Sequence, residues 1–262
     1  MFQPVLISTG LAGWQFLQST YDRQTAAFNA SAQIKRDTDY FAANIASVQS
    51  AEDLVSDRRL MTVALGAFGL QDDIDNRFFI QKMLEEGTTA DDAIANRFAD
   101  TRYREMSEAF GLGPGEIRGS ILPSFAGDII ARFQTSSFEI AAGQQDDTMR
   151  LALYAERIVP ELTGSTESEN QKWFSIMGQP PLRQVFETAL GLPSAFGQVD
   201  IDQQLEVFKD RADRVFGVSD PAEFADPDKL DQLLTSYLAR AQLNSSGAGA
   251  SGSSIALSLL SR

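Results

Sequence analysis

Carboxylates are the groups best able to do chemistry in this chain, because its 262 residues include no histidine and no cysteine. The sequence therefore offers no imidazole base, no thiolate nucleophile and neither of the ligands that zinc prefers. Three groups of carboxylates are close in sequence: Asp72, Asp73 and Asp75; Asp91 and Asp92; and Asp146 and Asp147. A calcium loop beginning at Asp73 needs glycine at its sixth position, but that residue is Phe78, so the pattern fails.

Each carboxylate group stands at the start of a predicted helix, where it can accept hydrogen bonds from free N–H groups and face the positive end of the helix dipole. Residues 111–115 are rich in glycine but lack the Lys-Ser/Thr ending of a phosphate loop, so they indicate a turn. We therefore predict no catalytic, cofactor-binding or metal-binding residues, no cofactor and no enzymatic activity. A hydrolase that uses paired carboxylates alone is a remote alternative.

Charge and hydropathy narrow the classes of partner. The formal net charge of −14 argues against nucleic acid and anionic membranes, which require a basic surface. No apolar run approaches the roughly 20 residues that cross a bilayer, so membrane insertion is not expected. The first residues carry no basic region, so we predict no Sec signal peptide.

Helix terminators recur along the chain and predict an all-α fold. A glycine after an apolar residue ends a helix by adopting positive φ, and the next apolar residue folds back onto the last turn. We expect positive φ at Gly69, Gly111, Gly191 and Gly217, and buried side chains at Phe68, Phe110, Leu190 and Phe216. The sequence predicts about ten to twelve short helices, with about two-thirds of the residues helical, well above the average of roughly one-third.

The spacing of apolar residues and caps predicts where these helices lie. Ser50 with Asp53 resembles a capping box, and Asp57 can cap the following helix. Pro160 should end or kink one helix, and the closing helix should run from Pro227 to about Leu243. The other main helices are expected at about 73–86, 90–98, 100–110, 124–142, 146–162, 170–177 and 181–190.

Part of the chain repeats with an offset of about 125 residues. The first copy comprises Leu60, Val63, Ala67, Gly69 and Leu70, and the second Leu182, Val185, Ala189, Gly191 and Leu192. Both copies continue through Asp-Ile-Asp and Phe-Ala-Asp. We predict two related helical units: one at about 37–112 in an N-terminal region 1–118, the other at about 165–243 in a region 119–243. The Gly- and Pro-rich residues 111–123 mark the boundary, and 244–262 form a flexible low-complexity tail.

Two apolar segments are candidates for contact with a partner. The opening helix places Trp14, Leu17 and Tyr21 on one face, and the tail carries Ile255, Leu257 and Leu260. Alternatively, the opening helix docks on its own domain, and the tail folds back onto the body or stays disordered.

Several phrases resemble a known family. They are Tyr40-Phe41, Asp57-Arg58-Arg59-Leu60, the eight residues from Val63 to Leu70, the seven from Lys82 to Thr88, and Asn96-Arg97-Phe98-Ala99-Asp100. The chain resembles domain-of-unknown-function family 1217, which occurs in alphaproteobacteria, often beside flagellar genes, and whose members can carry many copies of the unit. The family has no established activity, so the resemblance transfers no catalytic residue.

The sequence thus favours a non-enzymatic structural, assembly or regulatory protein associated with the bacterial flagellum. Its partners would be proteins, including flagellar components, and it would be cytoplasmic or flagellum-associated. The alternative is a cytoplasmic, chaperone-like helical binding module, distinguished by an exposed groove between helices and retention inside the cell.

Overall fold

The computed structural model describes residues 3–164 and 166–249, and over these residues the fold is all-α. It is 75% helical and contains no strand, and 11 of its 13 α-helices have at least seven residues. The all-α prediction is confirmed.

The helices follow one another with short connections. They are α1 (Gly10–Asn29), α2 (Ala32–Asn44), α3 (Ala51–Ser56), α4 (Arg58–Ala67), α5 (Arg77–Glu86), α6 (Ile94–Arg97), α7 (Arg102–Phe110), α8 (Phe125–Gly143), α9 (Asp147–Thr163), α10 (Glu169–Met177), α11 (Pro180–Leu190), α12 (Ile201–Phe216) and α13 (Pro227–Gly249). Short 3₁₀ helices lie at Ile45–Ser47, Gln71–Asp73, Gly119–Ile121, Ser194–Gln198 and Pro221–Ala225.

The described chain divides into two compact units that differ from the predicted regions. The first comprises residues 3–5 and 20–144, and the second residues 6–19 and 145–249 without residue 165. The predicted boundary near 118 is therefore corrected, because α8 packs on α2 and α4 within the first unit. A Cβ added to Gly66 of α4 would lie 2.7 Å from Cδ2 of Phe133 on α8. Glycine allows this close approach of the two helices.

The core of the first unit surrounds α4, whose residues Leu60 to Ala67 are buried except for Thr62. Asp57 caps this helix by accepting hydrogen bonds from the N–H groups of Arg59 and Leu60, at 2.9 and 3.2 Å. The second half of α1 packs on α8, where the rings of Tyr21 and Phe28 contact Phe138 edge-to-face.

The core of the second unit is aromatic. Trp173 packs edge-to-face on Phe186 and Phe208, and Phe224 packs on Phe186. The helices α9, α11 and α13 pack against one another around this core. The first half of α1 belongs to this unit as well, since a Cβ on Gly13 would lie 3.2 Å from Cε of Met149.

The proposed partner contacts on the opening helix need correction. Trp14 and Leu17 are buried in the second unit, so they serve their own fold, as the alternative interpretation held. Tyr21 is half-buried against Phe138. The other candidates, Ile255, Leu257 and Leu260, lie outside the described residues.

Several helix bounds differ from expectation. The helix α9 continues for three residues beyond Pro160, whose carbonyl accepts a hydrogen bond from the N–H of Gly164 at 3.0 Å. The 3₁₀ helix at Gln71–Asp73 delays the start of α5 to Arg77. The closing helix runs to Gly249, six residues past its expected end at about Leu243.

The four glycines expected to end helices have φ of +69° at Gly69, +56° at Gly111, +67° at Gly191 and +62° at Gly217. The side chains preceding them are all buried. The turns at Gly69 and Gly191 share the same hydrogen bonds: Leu70 N–H donates to the carbonyl of Leu65 at 2.9 Å, and Leu192 N–H to that of Glu187 at 2.8 Å. Local geometry therefore agrees with the repeat at these turns, while the duplication as a whole stays a prediction.

Candidate functional site

Most of the acidic groups take up structural positions. Asp146 caps α9 through the N–H of Thr148, and Asp200 caps α12 through the N–H of Asp202. Asp75 forms a 2.7 Å ion pair with Arg58. In the described part of the chain, no group of three or more acidic side chains converges in a way that could hold a metal ion.

Glu156 on α9 is a carboxyl group in an environment unfavourable to charge. Burial raises its pKa, repulsion from Asp231 adds to that effect, and a hydrogen bond from Gln18 at 2.7 Å opposes it. The hydrolase alternative can be tested at this residue.

Two open clefts are lined by carboxylates that already form ion pairs or cap helices. One, of about 440 Å³, is lined by Gln184, Glu187, Thr188, Gly191, Leu192, Arg240, Leu243 and Asn244. Its Glu187 is paired with Arg183 at 2.7 Å. The other, of about 510 Å³, includes Asp53, which belongs to the capping box of α3, and Asp57, which caps α4. Hydrogen bonds from backbone N–H groups and the Ser50 hydroxyl lower the pKa of Asp53.

The most distinctive surface lies on the first unit and consists of phenylalanine rings. Phe78 on α5 is 80% exposed, and Phe98, directly after α6, is 44% exposed. Phe79, the residue after Phe78, is half-buried, and its ring centroid lies 5.2 Å from that of Phe98. We call Phe78, Phe79 and Phe98 the aromatic surface. Large side chains of this kind are usually withdrawn from water, so this surface is a candidate for contact with a partner.

A buried tyrosine packs against two of these rings. The ring of Tyr103 on α7 packs edge-to-face on both Phe79 and Phe98, with centroids 5.4 and 5.0 Å apart. Its hydroxyl donates a short hydrogen bond to Oδ2 of Asp73, whose Oδ1 accepts from Asn76 at 2.6 Å. Burial and the bond to Asp73 raise the pKa of Tyr103, so the hydroxyl stays protonated and keeps donating.

An arginine fixes the start of α7 next to the rings. Arg102 forms a forked ion pair with Asp100, with N–O distances of 2.7 to 3.2 Å. Its Nη1 also donates to the carbonyl of Gly69 at 2.7 Å, which joins α7 to the turn after α4. Asp100 in addition accepts from the N–H of Arg102 at 3.1 Å, as a helix cap does. A connected polar network thus fixes the start of α7, the helix that carries Tyr103.

The repeated sequence phrases meet at this site. Gly69, Asp73, Phe98 and Asp100 belong to the first copy, and the structure brings them together through Tyr103 and Arg102. The corresponding phenylalanine of the second copy, Phe224, is 0% exposed and packs on Phe186 and Phe216. The phenylalanine of the repeated Phe-Ala-Asp sequence is therefore exposed in the first copy and buried in the second.

Sequence reasoning missed the aromatic surface. The helix α5 buries Ile80, Met83 and Leu84, which keep helical spacing, so Phe78 falls outside the buried stripe. The sequence contains a signal for this exposure: it has two adjacent phenylalanines, and one helix face can bury only one of them.

Comparisons with known proteins agree with the fold. The model of the family described as "Protein of unknown function (DUF1217)" matches residues 67–230. A crystal structure of an Agrobacterium tumefaciens protein, determined by a structural genomics consortium, is similar with a TM-score of 0.69 and 24% identity, over 90% of this chain and 96% of that chain. No curated protein matches the sequence significantly. Within the described residues, no helix combines the length and apolar character needed to cross a membrane.

Proposed function

The chain belongs to the DUF1217 family of proteins of unknown function, and from that starting point we propose that it is a non-enzymatic assembly or regulatory protein of the bacterial flagellum. It would act by binding a protein partner, either in the cytoplasm or at the flagellum. The aromatic surface is the observation that carries this proposal.

An exposed phenylalanine contributes little to the stability of an isolated protein. Burying a large apolar side chain contributes roughly 1.5–3 kcal/mol, and Phe78 leaves that contribution unused. The rings of Phe79 and Phe98 nevertheless pack on Tyr103, so these two rings are ordered before any partner arrives. A rigid, exposed aromatic cluster is typical of the residues that dominate binding energy at protein interfaces.

The flagellar part of the proposal comes from the family resemblance, since genes of this family often lie beside flagellar genes. The repeat supports an assembly role, because repeated helical units commonly serve as binding scaffolds. The second copy differs in detail, as Lys209 pairs with Glu169 whereas Lys82 pairs with Glu86. We therefore propose the duplication as an origin for the two units, with binding retained at the first.

One observation favours the chaperone-like alternative. The cleft of about 440 Å³ lies between α11 and α13, with the exposed Leu243 at its side. A groove between helices can hold a segment of an unfolded or immature partner. Cell fractionation separates the alternatives: a chaperone stays in the cytoplasm, whereas a structural component is recovered with purified flagella.

The experiment that tests the main proposal replaces Phe78 by Ser in the cell and uses Ile117→Ser as a matched control. Both side chains lie in the first unit and are strongly exposed, at 80% and 73%. We expect F78S to impair swimming and to abolish site-specific crosslinks to a flagellar component, while I117S leaves both unchanged. Normal swimming in F78S and in a complete knockout would contradict the proposal.

A further inference from the structure

We propose that the cleft of about 440 Å³ between α11 and α13 binds an organic carboxylate, which pairs with Arg240. The cleft lies within the second unit, so the proposal is independent of the aromatic surface on the first. It goes beyond the proposed function because it assigns a ligand to a separate site. Three features carry it: an arginine with no acceptor in the described chain, the glycine turn beside that arginine, and the built-in anion of its counterpart in the first unit.

The guanidinium of Arg240 has several N–H donors, but it forms no hydrogen bond or ion pair within the part of the chain that the structure describes. Its neighbours one turn away on α13 are uncharged; they are Ser236, Tyr237, Leu243 and Asn244. Across the cleft, Glu187 is paired with Arg183 at 2.7 Å. Because that pair is neutral as a whole, Arg240 supplies an unbalanced positive charge, in a chain whose own net charge is −14.

The turn after α11 determines where this guanidinium lies. A Cβ added to Gly191 would be 2.5 Å from Nη1 of Arg240 and 3.2 Å from its Cζ, so with any other residue there the guanidinium would have to move. One turn earlier on α13, Oγ of Ser236 donates to the carbonyl of Ala189 at 3.0 Å and joins the two helices. Arg240 is therefore positioned over the end of α11, beside the cleft.

The first unit contains a similar arrangement in which the chain itself supplies the anion. A Cβ added to Gly69 would likewise meet Nη1 of an arginine, Arg102, at 3.2 Å. There the guanidinium forms its forked ion pair with Asp100, at 2.7 to 3.2 Å. The corresponding aspartate of the second unit, Asp226, caps the start of α13 and lies about 20 Å from Arg240 along that helix. A carboxylate from outside the chain can therefore pair with Arg240 as Asp100 pairs with Arg102.

A carboxylate fits this charge better than a phosphate does. A planar guanidinium matches both oxygens of one carboxylate through parallel N–H donors. The cleft lies at the C-terminal end of α11, where the helix dipole is negative, so a second negative charge on the ligand is disfavoured. A single negative charge is therefore the best complement to one arginine.

The remaining walls of the cleft define the rest of the ligand. Apolar surface comes from Leu192 and from Leu243, which is 70% exposed. The neutral side chains that can form hydrogen bonds are Gln184, Thr188 and Asn244. The volume lies within the roughly 300–1,000 Å³ of small-molecule pockets. The ligand is thus a carboxylate with a short apolar body, either a free acid or an acidic side chain beside apolar residues of a peptide.

The test titrates the isotopically labelled full chain with unlabelled ligands and follows the backbone amide signals of residues 184–192 and 240–244 by NMR. The small probes are hexanoate, its neutral counterpart hexanamide, acetate and inorganic phosphate. A blocked tetrapeptide with one glutamate among leucines, and its glutamine counterpart, represent an acidic side chain. The variants are R240Q, R240K and L243S, and R211Q is the matched control, because Arg211 is exposed on α12 of the same unit.

We expect hexanoate to bind the parent and R211Q equally, and R240Q at least about fivefold more weakly. R240K should bind with intermediate affinity, since an ammonium cannot form the forked pair. L243S should weaken the binding of hexanoate but not of acetate, because only hexanoate has an apolar chain to contact Leu243. Tighter binding of hexanoate than of the glutamate peptide would identify a free acid as the ligand, and the reverse would identify an acidic protein segment.

Equal binding of hexanoate to R240Q and R211Q would overturn the proposal, because the affinity would then not depend on Arg240. So would equal binding of the neutral and acidic members of each probe pair, tighter binding of phosphate than of hexanoate, or the absence of shifts at the cleft with both carboxylates. Circular dichroism shows whether R240Q is folded. If it is not, L243S and the comparison of hexanoate with hexanamide on the parent decide the question.

Discussion

Alanine in place of a helix-ending glycine should have very different costs at Gly69 and Gly111, although both belong to the first unit and both have positive φ. Forcing a side chain into the left-handed region costs roughly 1–2 kcal/mol at either position. At Gly69 the new Cβ would meet only Nη1 of Arg102, at 3.2 Å, which belongs to a side chain and not to the backbone. We therefore expect G69A to lower the free energy of unfolding by about 1–2 kcal/mol.

At Gly111 the same Cβ would lie 2.1 Å from the carbonyl oxygen of Ile117 and 2.8 Å from its carbon. These are backbone atoms, so the segment after α7 must shift, which adds about 1–3 kcal/mol of overpacking. G111A should thus cost about 2–5 kcal/mol in total. Asparagine tolerates positive φ better than alanine, so G69N should be less destabilised than G69A.

The assay is urea denaturation followed by far-UV circular dichroism. Trp14 and Trp173 both lie in the second unit, so tryptophan fluorescence serves as an internal reference for that unit. Equal losses for G69A and G111A would refute the reasoning from the contact with Ile117. A G69N variant no more stable than G69A would refute the reasoning from backbone conformation.

Further predictions concern single side chains. Y103F removes the hydrogen bond to Asp73 and should lower stability by about 1–3 kcal/mol, measured by urea denaturation; an unchanged midpoint would show that the bond contributes nothing. Burial raises the pKa of Glu156, so its contribution is full below its usual value of 4.5 and is lost as pH rises through the raised pKa. E156Q should therefore be more stable than the parent at pH 7 and lose this dependence, and a parallel pH profile would contradict the assignment. Burial acts to raise the pKa of Asp57, but hydrogen bonds from Tyr40 and two backbone N–H groups outweigh it, so the pKa is lowered. The contribution of Asp57 to stability is therefore lost as pH falls below the usual value of 3.8. D57A should cost about 1 kcal/mol at pH 7 and less in acid, measured by thermal unfolding; an equal cost at pH 3 and pH 7 would exclude the charge.

Local signals predicted the elements of this fold well. The conformation at Gly69 depends on the few residues around it, and the cap at Asp57 on the next three, so short sequence patterns suffice. The all-α class and the burial of Phe68 and Phe110 follow from the same kind of pattern.

Features set by distant contacts were harder to predict. The periodicity of α1 identified the apolar face with Trp14 but not what would cover it, because burial depends on which helices arrive from elsewhere in the chain. The assignment of α8 to the first unit likewise depends on its packing against α4. The aromatic surface escaped prediction because Tyr103 supports Phe79 and Phe98 from a separate helix.

The helix α1 has a consequence for how the protein is made. Its first half belongs to the second unit, whose remaining residues begin only at 145, after the whole first unit has been synthesised. At about 5–20 residues per second, Trp14 and Leu17 wait roughly 5–25 s on the nascent chain before their packing partners emerge from the ribosome. For the same reason, no continuous fragment contains the second unit without the first. Dissecting this protein requires residues 6–19 to be fused to residue 145, which a simple truncation at 144 cannot provide.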